Sequence, residues 1–451
     1  ELTLKQNVPE HAKKFDYHLK LSPKGMTITY DGFPYEFGGI RGLVVAEPGV
    51  VMLTKLRCDR KYQLDGEIRD FGRKLKLQIN APGVPLDKKL LAAMPAEFKT
   101  VMDTVTPGGS LDIKIDELTI IRPKPGSPTT KPVTMPATVP SRPAVRTTTR
   151  PSIQGPGWMA RGVLGLHNTT FDLALGAKKL NGTLDGWIAQ DSRGLGIQLN
   201  VNLQKILIGS REITDLSGRL TKKSGSPLVR IEKLEAHVYQ GLLAGREVVI
   251  RLSDPVKYAF RLIYQNVSLS DLVNAGAKDP ASRTGVKGLL GGKISLEATV
   301  GDPKSRKAAG TVIITQGKMY KMPILLGLMN VLYLSLPGDA AFTDGHLKYF
   351  VQGDTMVIEE LFLTGSALSL VGSGRMTMSN EKLDLTFLTG PPGRLPRIAV
   401  IRKASTVLNA LIKELLVLRI TGTLSKPITK PLPLRSIDAI LKELLRPGKI
   451  D

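Results

Sequence analysis

The chain has 451 residues, with 63 Lys and Arg against 40 Asp and Glu for a formal charge of +23, and 42% of its residues are hydrophobic. Its one cysteine, Cys58, excludes an intramolecular disulfide and a cysteine-cluster metal site, and no apolar run reaches the ~18 residues a helix needs to span a bilayer. Aromatics at 5% with 45 Gly and 30 Pro favour short strands and turns over a compact enzyme core, while the positive charge favours contact with an anionic surface.

Segments with period-two alternation recur along the chain, among them residues 26–30, 74–79, 110–115, 196–201 and 293–298, with Gly, Asn, Asp or Pro nearby. The pattern predicts about 20 strands, which at ~4.8 Å spacing make a sheet on the order of 100 Å wide, too wide to stay flat. The predicted fold is mainly β, an elongated, curved, antiparallel-rich sheet with a few short helices.

Residues 86–105 carry Leu90, Leu91, Met94, Phe98, Val101, Met102 and Val105 at helical spacing, and Pro95 divides them into two short helices. Residues 122–157 hold six basic and no acidic residues and almost no large apolar side chains, which predicts a disordered Pro/Thr-rich linker. A Ser cap opens a short helix over 268–277. Around the linker lies an internal repeat: Val84-Pro-Leu86, a helical stretch and Gly108-Gly109 match Val267-Ser-Leu269, a helical stretch and Gly291-Gly292 at an offset of 183. Predicted divisions are β repeats over 1–121 and 158–287, a C-terminal β domain over 288–427 and a tail over 428–451.

Residues 323–334 start on Pro and are apolar nearly all round, the pattern of a helix buried against a sheet, with a membrane-dipping or gating helix as the alternative. Residues 367–387 predict a hairpin with two unlike faces. Leu368, Leu370, Gly372, Gly374, Met376, Met378, Leu383, Leu385 and Phe387 share one face, and Ser369, Ser373, Arg375, Thr377, Asp384 and Thr386 share the other. Residues 394–451 hold twelve basic and four acidic residues. Within them Leu434, Ile437, Ile440, Leu441, Leu444 and Leu445 line one helical face beside Arg435, Lys442 and Arg446, an amphipathic tail suited to its own sheet, a membrane surface or a partner.

The stretches 288–296, 308–323, 341–351, 361–374 and 418–427, approached through Ala236-His-Val-Tyr-Gln-Gly-Leu-Leu-Ala-Gly245 and residues 266–272, resemble the C-terminal region of AsmA-like envelope proteins of the TamB and YhdP type. The resemblance covers residues 236–427, and the earlier strands match in style. Tyr239-Gln240-Gly241 departs from a Gly pair common in the family, and the family's N-terminal membrane helix is absent from this chain. The resemblance implies a repeating U-shaped β-groove, anchored in the inner membrane of a diderm bacterium and crossing the periplasm, that gives phospholipid acyl chains an apolar path to the outer membrane. Because residue 1 is Glu, the chain is read as a processed form or a fragment, with its anchor in a segment outside it.

Under that reading the groove-lining candidates are Val312, Ile314, Met356, Ile358, Leu361, Leu363, Leu368, Leu370, Met376, Met378, Leu383, Leu385 and Phe387. Ile437, Ile440, Leu441, Leu444, Leu445, Arg435 and Arg446 are candidates for contact with a membrane or partner. Expected partners are phospholipid or another acyl lipid, membrane surfaces and envelope proteins; no nucleic-acid motif emerges, and no cofactor is expected.

Enzyme signatures are missing. His11, His18, His167, His237 and His346 form no His-x-x-x-His pair, and no Gly-x-Ser-x-Gly elbow occurs. Residues 288–293 imitate a phosphate loop with the wrong spacing, and Ile294 stands where Ser or Thr should hold magnesium. Asp344 and His346 share a strand face and read as a surface pair rather than a catalytic one. The competing readings are a structural, adhesin-like β-solenoid and a factor that assembles outer-membrane barrels through open sheet edges.

Overall fold

The computed structural model describes residues 2–5, 16–30, 33–59, 61–94, 105–106, 108–123, 156–171, 177–208, 211–275, 283–318, 342–366, 368–393, 395, 397–398 and 416–432. The chain divides into two compact units, residues 1–207 with 217–229, and residues 208–216 with 230–451. The predicted mainly β, antiparallel fold is what the described residues form.

The first unit contains β1 (Leu2–Lys5), β2 (Asp16–Leu21), β3 (Lys24–Tyr30), β4 (Phe33–Glu47), β5 (Val50–Cys58), β6 (Tyr62–Arg69), β7 (Lys74–Pro85), α1 (Lys88–Ala93), β8 (Val105–Thr106), β9 (Ser110–Ile121), β10 (Gly157–Phe171), β11 (Ala177–Asp191) and β12 (Gly194–Ile208). Consecutive strands pair antiparallel, with two local departures. β2 and β3 both pair with β4, either side of Ser22-Pro23, and β8 and β9 both pair with β10. Ile121 of β9 stands opposite Gly157 of β10, so pairing resumes directly across the predicted linker, of which residues 124–155 lie outside the described residues.

β13 (Arg211–Lys222) and β14 (Leu228–Val238) follow, and the second unit continues with β15 (Gly241–Arg251), β16 (Lys257–Ser268), α2 (Leu269–Asn274), β17 (Lys287–Thr299), β18 (Asp302–Lys318), β19 (Asp344–Gln352), β20 (Thr355–Thr364), β21 (Ser369–Thr377), β22 (Lys382–Gly390), β23 (Leu416–Gly422) and β24 (Pro427–Leu432). From β15 to β24 the strands form an antiparallel meander in chain order. The predicted helix at 323–334, the tail with Arg435, Ile437, Ile440, Leu441, Leu444, Leu445 and Arg446, and residues 95–104 of the predicted 86–105 helices lie outside the described residues; Val105, expected in a helix, instead opens β8 and pairs with Phe171.

The repeat is legible in the backbone. In both copies a β-bulge precedes the helix, with Gly83 (φ +64°) or Asn266 (φ +54°) supplying the left-handed residue. A buried Val follows (Val84, Val267), then a buried Leu (Leu86, Leu269). Each helix has a capping side chain: Asp87 accepts from the Leu90 amide at 2.8 Å, and Ser268 from the Asp271 amide at 3.2 Å. The register differs from the sequence match, however. Val84 faces Leu111 and Val267 faces Leu290, so Leu111 and Leu290 are counterparts at an offset of 179, and Gly108-Gly109 is not equivalent to Gly291-Gly292. The second helical excursion is four residues shorter, which local sequence similarity conceals.

Glycines let neighbouring strands approach closely. Gly374 has φ +151°, and a Cβ there would run into the Asp384 carbonyl and the Cα of Leu385. Gly374→Ala is expected to cost about 1–3 kcal/mol in a chemical denaturation experiment, because the obstacle is neighbouring backbone and not a movable side chain.

Candidate functional site

Residues directly opposite in an antiparallel pair share a face, so the register assigns the chemistry of each side of the sheet. In the second unit one face consists of four rows running from strand to strand. The row beginning at Leu243 continues through Tyr264, Gly292, Val312, Leu347, Leu361, Gly372, Phe387 and Leu418. The next runs through Gly245, Leu262, Ile294, Gly310, Tyr349, Ile358, Gly374, Leu385 and Ile420. Rows through Leu290, Ile314, Leu363 and Leu370, and through Phe260, Leu296, Met356, Met376 and Leu383, flank them. These rows contain no Asp, Glu, Lys, Arg or His.

The first unit has a face of the same kind. Leu53, Gly66, Leu77 and Leu118 succeed one another from β5 to β9, and Gly162, Leu164 and Leu166 continue it on β10 beside Gly186, Leu184 and Gly182 of β11.

The charges lie on the opposite face. Arg261 pairs with Glu247 at 3.1 Å, Lys307 with Glu297 at 3.6 Å, Lys348 with Glu359 at 2.8 Å and Arg419 with Asp384 at 3.0 Å. Such exposed pairs each contribute at most about 1 kcal/mol. Their consequence is orientation, because turning the sheet over would force them against hydrocarbon.

Along the charge-free face the covering changes. From β15 to β19 most of its apolar side chains, including Leu243, Phe260, Leu262, Ile294, Leu296, Val312, Ile314 and Leu347, are half-buried, while Val267, Leu290 and Val351 are buried. From β20 to β23 the face is closed: Leu370 is 1% exposed, Leu383 and Leu385 2%, Phe387 1%, and Leu418 and Ile420 0%. These belong to one apolar cluster with Ile358, Leu363 and Leu368, against which Val312, Ile314, Met356, Leu361 and Met376 pack.

The structure therefore brings together the predicted groove candidates other than Met378. That residue lies in the β21–β22 turn, outside the cluster, where its amide donates to the Asp354 carbonyl at 2.8 Å. Leu262, Phe260, Tyr264, Ile294 and Leu296 belong to the same face and were not among the candidates, although the alternation over 258–264 and 293–298 carries the signal. The other side of the hairpin also departs from the simple polar face its sequence suggests. Ser369 is 0%, Ser373 5% and Thr386 7% exposed beside Val371, Leu388 and Val417. Both sides of the sheet are covered there, and Ser369 is satisfied by the Thr364 hydroxyl at 2.9 Å and the Gly393 amide at 3.1 Å.

Three aromatic rings on the charge-free face lie across glycines on the adjacent strand: Tyr264 over Gly292, Tyr349 over Gly310 and Phe387 over Gly372. The Tyr264 hydroxyl donates to the Thr311 carbonyl at 3.0 Å, and burial pushes its ionisation up to about 12. Burial raises Tyr349 as well.

On the opposite face His346 faces Phe362 and lies near Glu360, Lys348 and Arg397. Glu360 is 8% exposed, with the Arg397 Nε 3.9 Å from its Oε1 and the Arg397 guanidinium 5.8 Å from the Phe362 ring. Asp344 instead accepts from the Thr343 hydroxyl at 2.8 Å, so the Asp344–His346 pair is not assembled. Among the described residues no group of three or more His, Cys, Asp or Glu is placed to hold a metal ion. No protein-family model, curated protein or solved structure matches the chain.

Two measurements test this arrangement. Leu385→Ala removes a fully buried side chain from the closed region and is expected to cost 2–5 kcal/mol in chemical denaturation, against less for Val312→Ala in the half-buried region. Burial first, then Arg397 and Lys348, lower the His346 pKa below its ordinary value, while Glu360 opposes them. The unfolded chain then takes up a proton near pH 6.5 that the folded chain refuses, so stability falls as pH drops from about 6.5 toward the folded pKa. His346→Gln should flatten that part of a stability–pH profile.

Proposed function

We propose that the protein binds acyl lipid, phospholipid among it, along its charge-free sheet faces and conducts it between the membranes of a diderm envelope, as an AsmA-like protein would. The observation that carries this reading is the half-buried, charge-free strip from β15 to β19. An acyl chain needs a continuous apolar surface without directional polar demands, and at ~25 cal/mol per Å² of apolar area it gains wherever it lies on such a strip. Equivalent positions repeat from strand to strand, so displacement along the strip changes the energy little while escape into water remains costly. Lys and Arg of the opposite face and the rims offer positive charge to phosphate headgroups.

The reading is non-enzymatic and uses no cofactor or nucleic acid. It includes a periplasmic location with an inner-membrane anchor in a segment outside this chain; among the described residues no helix is long and apolar enough to cross a membrane.

A second reading, a structural β-scaffold, is favoured by the closed cluster from β20 to β23, where the protein's own side chains already satisfy the apolar face. The barrel-assembly version of a scaffold needs an open edge for strand addition, and β24 offers a poor one. The Thr423–Lys426 pair exchanges both backbone hydrogen bonds, which places Pro427, Thr429 and Pro431 at alternating positions whose amides point away from β23. Two of those three positions have no N–H to donate.

Mass spectrometry of organic extracts from the purified protein separates the readings. Lipid transport predicts bound phospholipid in the parent and its loss from Ile294→Glu, which places a charge on the half-buried strip rather than in the closed cluster. A parent that stays free of lipid after incubation with phospholipid vesicles establishes the scaffold reading instead.

A further inference from the structure

We propose that Tyr264 and Tyr349 form a hydrogen-bonding station within the charge-free face that favours acyl esters over plain hydrocarbons, an inference that rests on the reading of this face as a lipid path. The two tyrosines occupy the two central rows of the strip, Tyr264 on β16 and Tyr349 on β19, and reach toward β18 from opposite sides. Around them the same rows hold Leu243, Leu262, Ile294, Val312 and Leu347, none of which can hydrogen bond through its side chain.

Glycine makes the station possible. Each ring lies across a residue without a side chain, Gly292 beneath Tyr264 and Gly310 beneath Tyr349, with the Tyr264 and Tyr349 hydroxyl oxygens each 2.7 Å from where a Cβ would stand. The hydroxyls are thereby set over neighbouring residues of β18: Tyr349 over Gly310, and Tyr264 donating to the Thr311 carbonyl at 3.0 Å. Both tyrosines are half-buried, so an unmet hydrogen bond costs more here than in open solvent.

Their free capacities differ. The Tyr264 proton is committed to Thr311, which leaves the oxygen as an acceptor. Tyr349 makes no side-chain hydrogen bond among the described residues, and its hydroxyl can both donate and accept. An ester carbonyl is an acceptor and matches the Tyr349 proton, while its hydrocarbon chain continues along the rows toward the closed cluster at β20. A free hydroxyl on the same ligand matches the Tyr264 oxygen. A plain hydrocarbon covers the two hydroxyls and satisfies neither.

The test offers the purified protein an equimolar mixture of 1-oleoylglycerol and 1-octadecene, separates bound from free by gel filtration and quantifies both by mass spectrometry. The parent is expected to retain the ester preferentially. Tyr349→Phe, which keeps the ring over Gly310, is expected to lower the bound ester-to-alkene ratio about three- to tenfold, the factor for one hydrogen bond, while octadecene binding holds. Tyr264→Phe provides a second variant with the same expected direction, and thermal melting establishes that both are folded. An unchanged ratio in both folded variants overturns the station and leaves the lipid path standing. A parent that binds neither probe overturns the lipid path and the station with it.

Discussion

The structure depends on keeping charge off one side of an antiparallel sheet. Side chains alternate with period two, so a slip of one residue in any pairing would carry a row of Lys, Arg, Asp and Glu onto the apolar side. Each strand's register is therefore held by the cost of burying unpaired charge as well as by backbone hydrogen bonds. The ion pairs on the opposite face contribute little individually, but they occupy the one side where charges are tolerated. Bulges such as those at Gly83 and Asn266 absorb an extra residue locally, so the apolar rows resume in phase beyond them.

The same face serves two physical purposes at different places. Between β20 and β23 it is packed to completion, and the leucines there supply the burial that stabilises the unit. Between β15 and β19 it is left partly uncovered, which forfeits hydrophobic stabilisation the sequence could have captured with larger or better-covered side chains. Glycines at Gly292 and Gly310 keep that region low, and tyrosines lying across them restore some of the lost contact. A closed cluster is thus continuous with a half-covered strip on the same face of the second unit.

The strands were legible because period-two alternation is a local signal, and Lys74 to Ile79 or Leu383 to Phe387 state their faces residue by residue. The capping role of Ser268 was legible for the same reason. What the sequence did not disclose was nonlocal. Ser369, Ser373 and Thr386 are small and polar, and their burial follows from what packs on that side of the sheet, which alternation along one strand does not encode. Met378 continues the alternation of its strand, yet the turn begins before it and removes it from the cluster. The four-residue difference between the two helical excursions escaped because paired glycines occur in both copies and draw a sequence match away from the true register.

Ile121 stands opposite Gly157, so β9 and β10 are neighbours in the sheet although 35 residues separate the two in sequence. Closure entropy grows only logarithmically with length, each doubling adding about 0.6 kcal/mol, so the strands on either side tolerate considerable change in what joins them. The length and composition of this connection can thus drift, or accept an inserted domain, while the sheet keeps its register. It is the natural place to attach a reporter or a surface tether without disturbing the apolar rows.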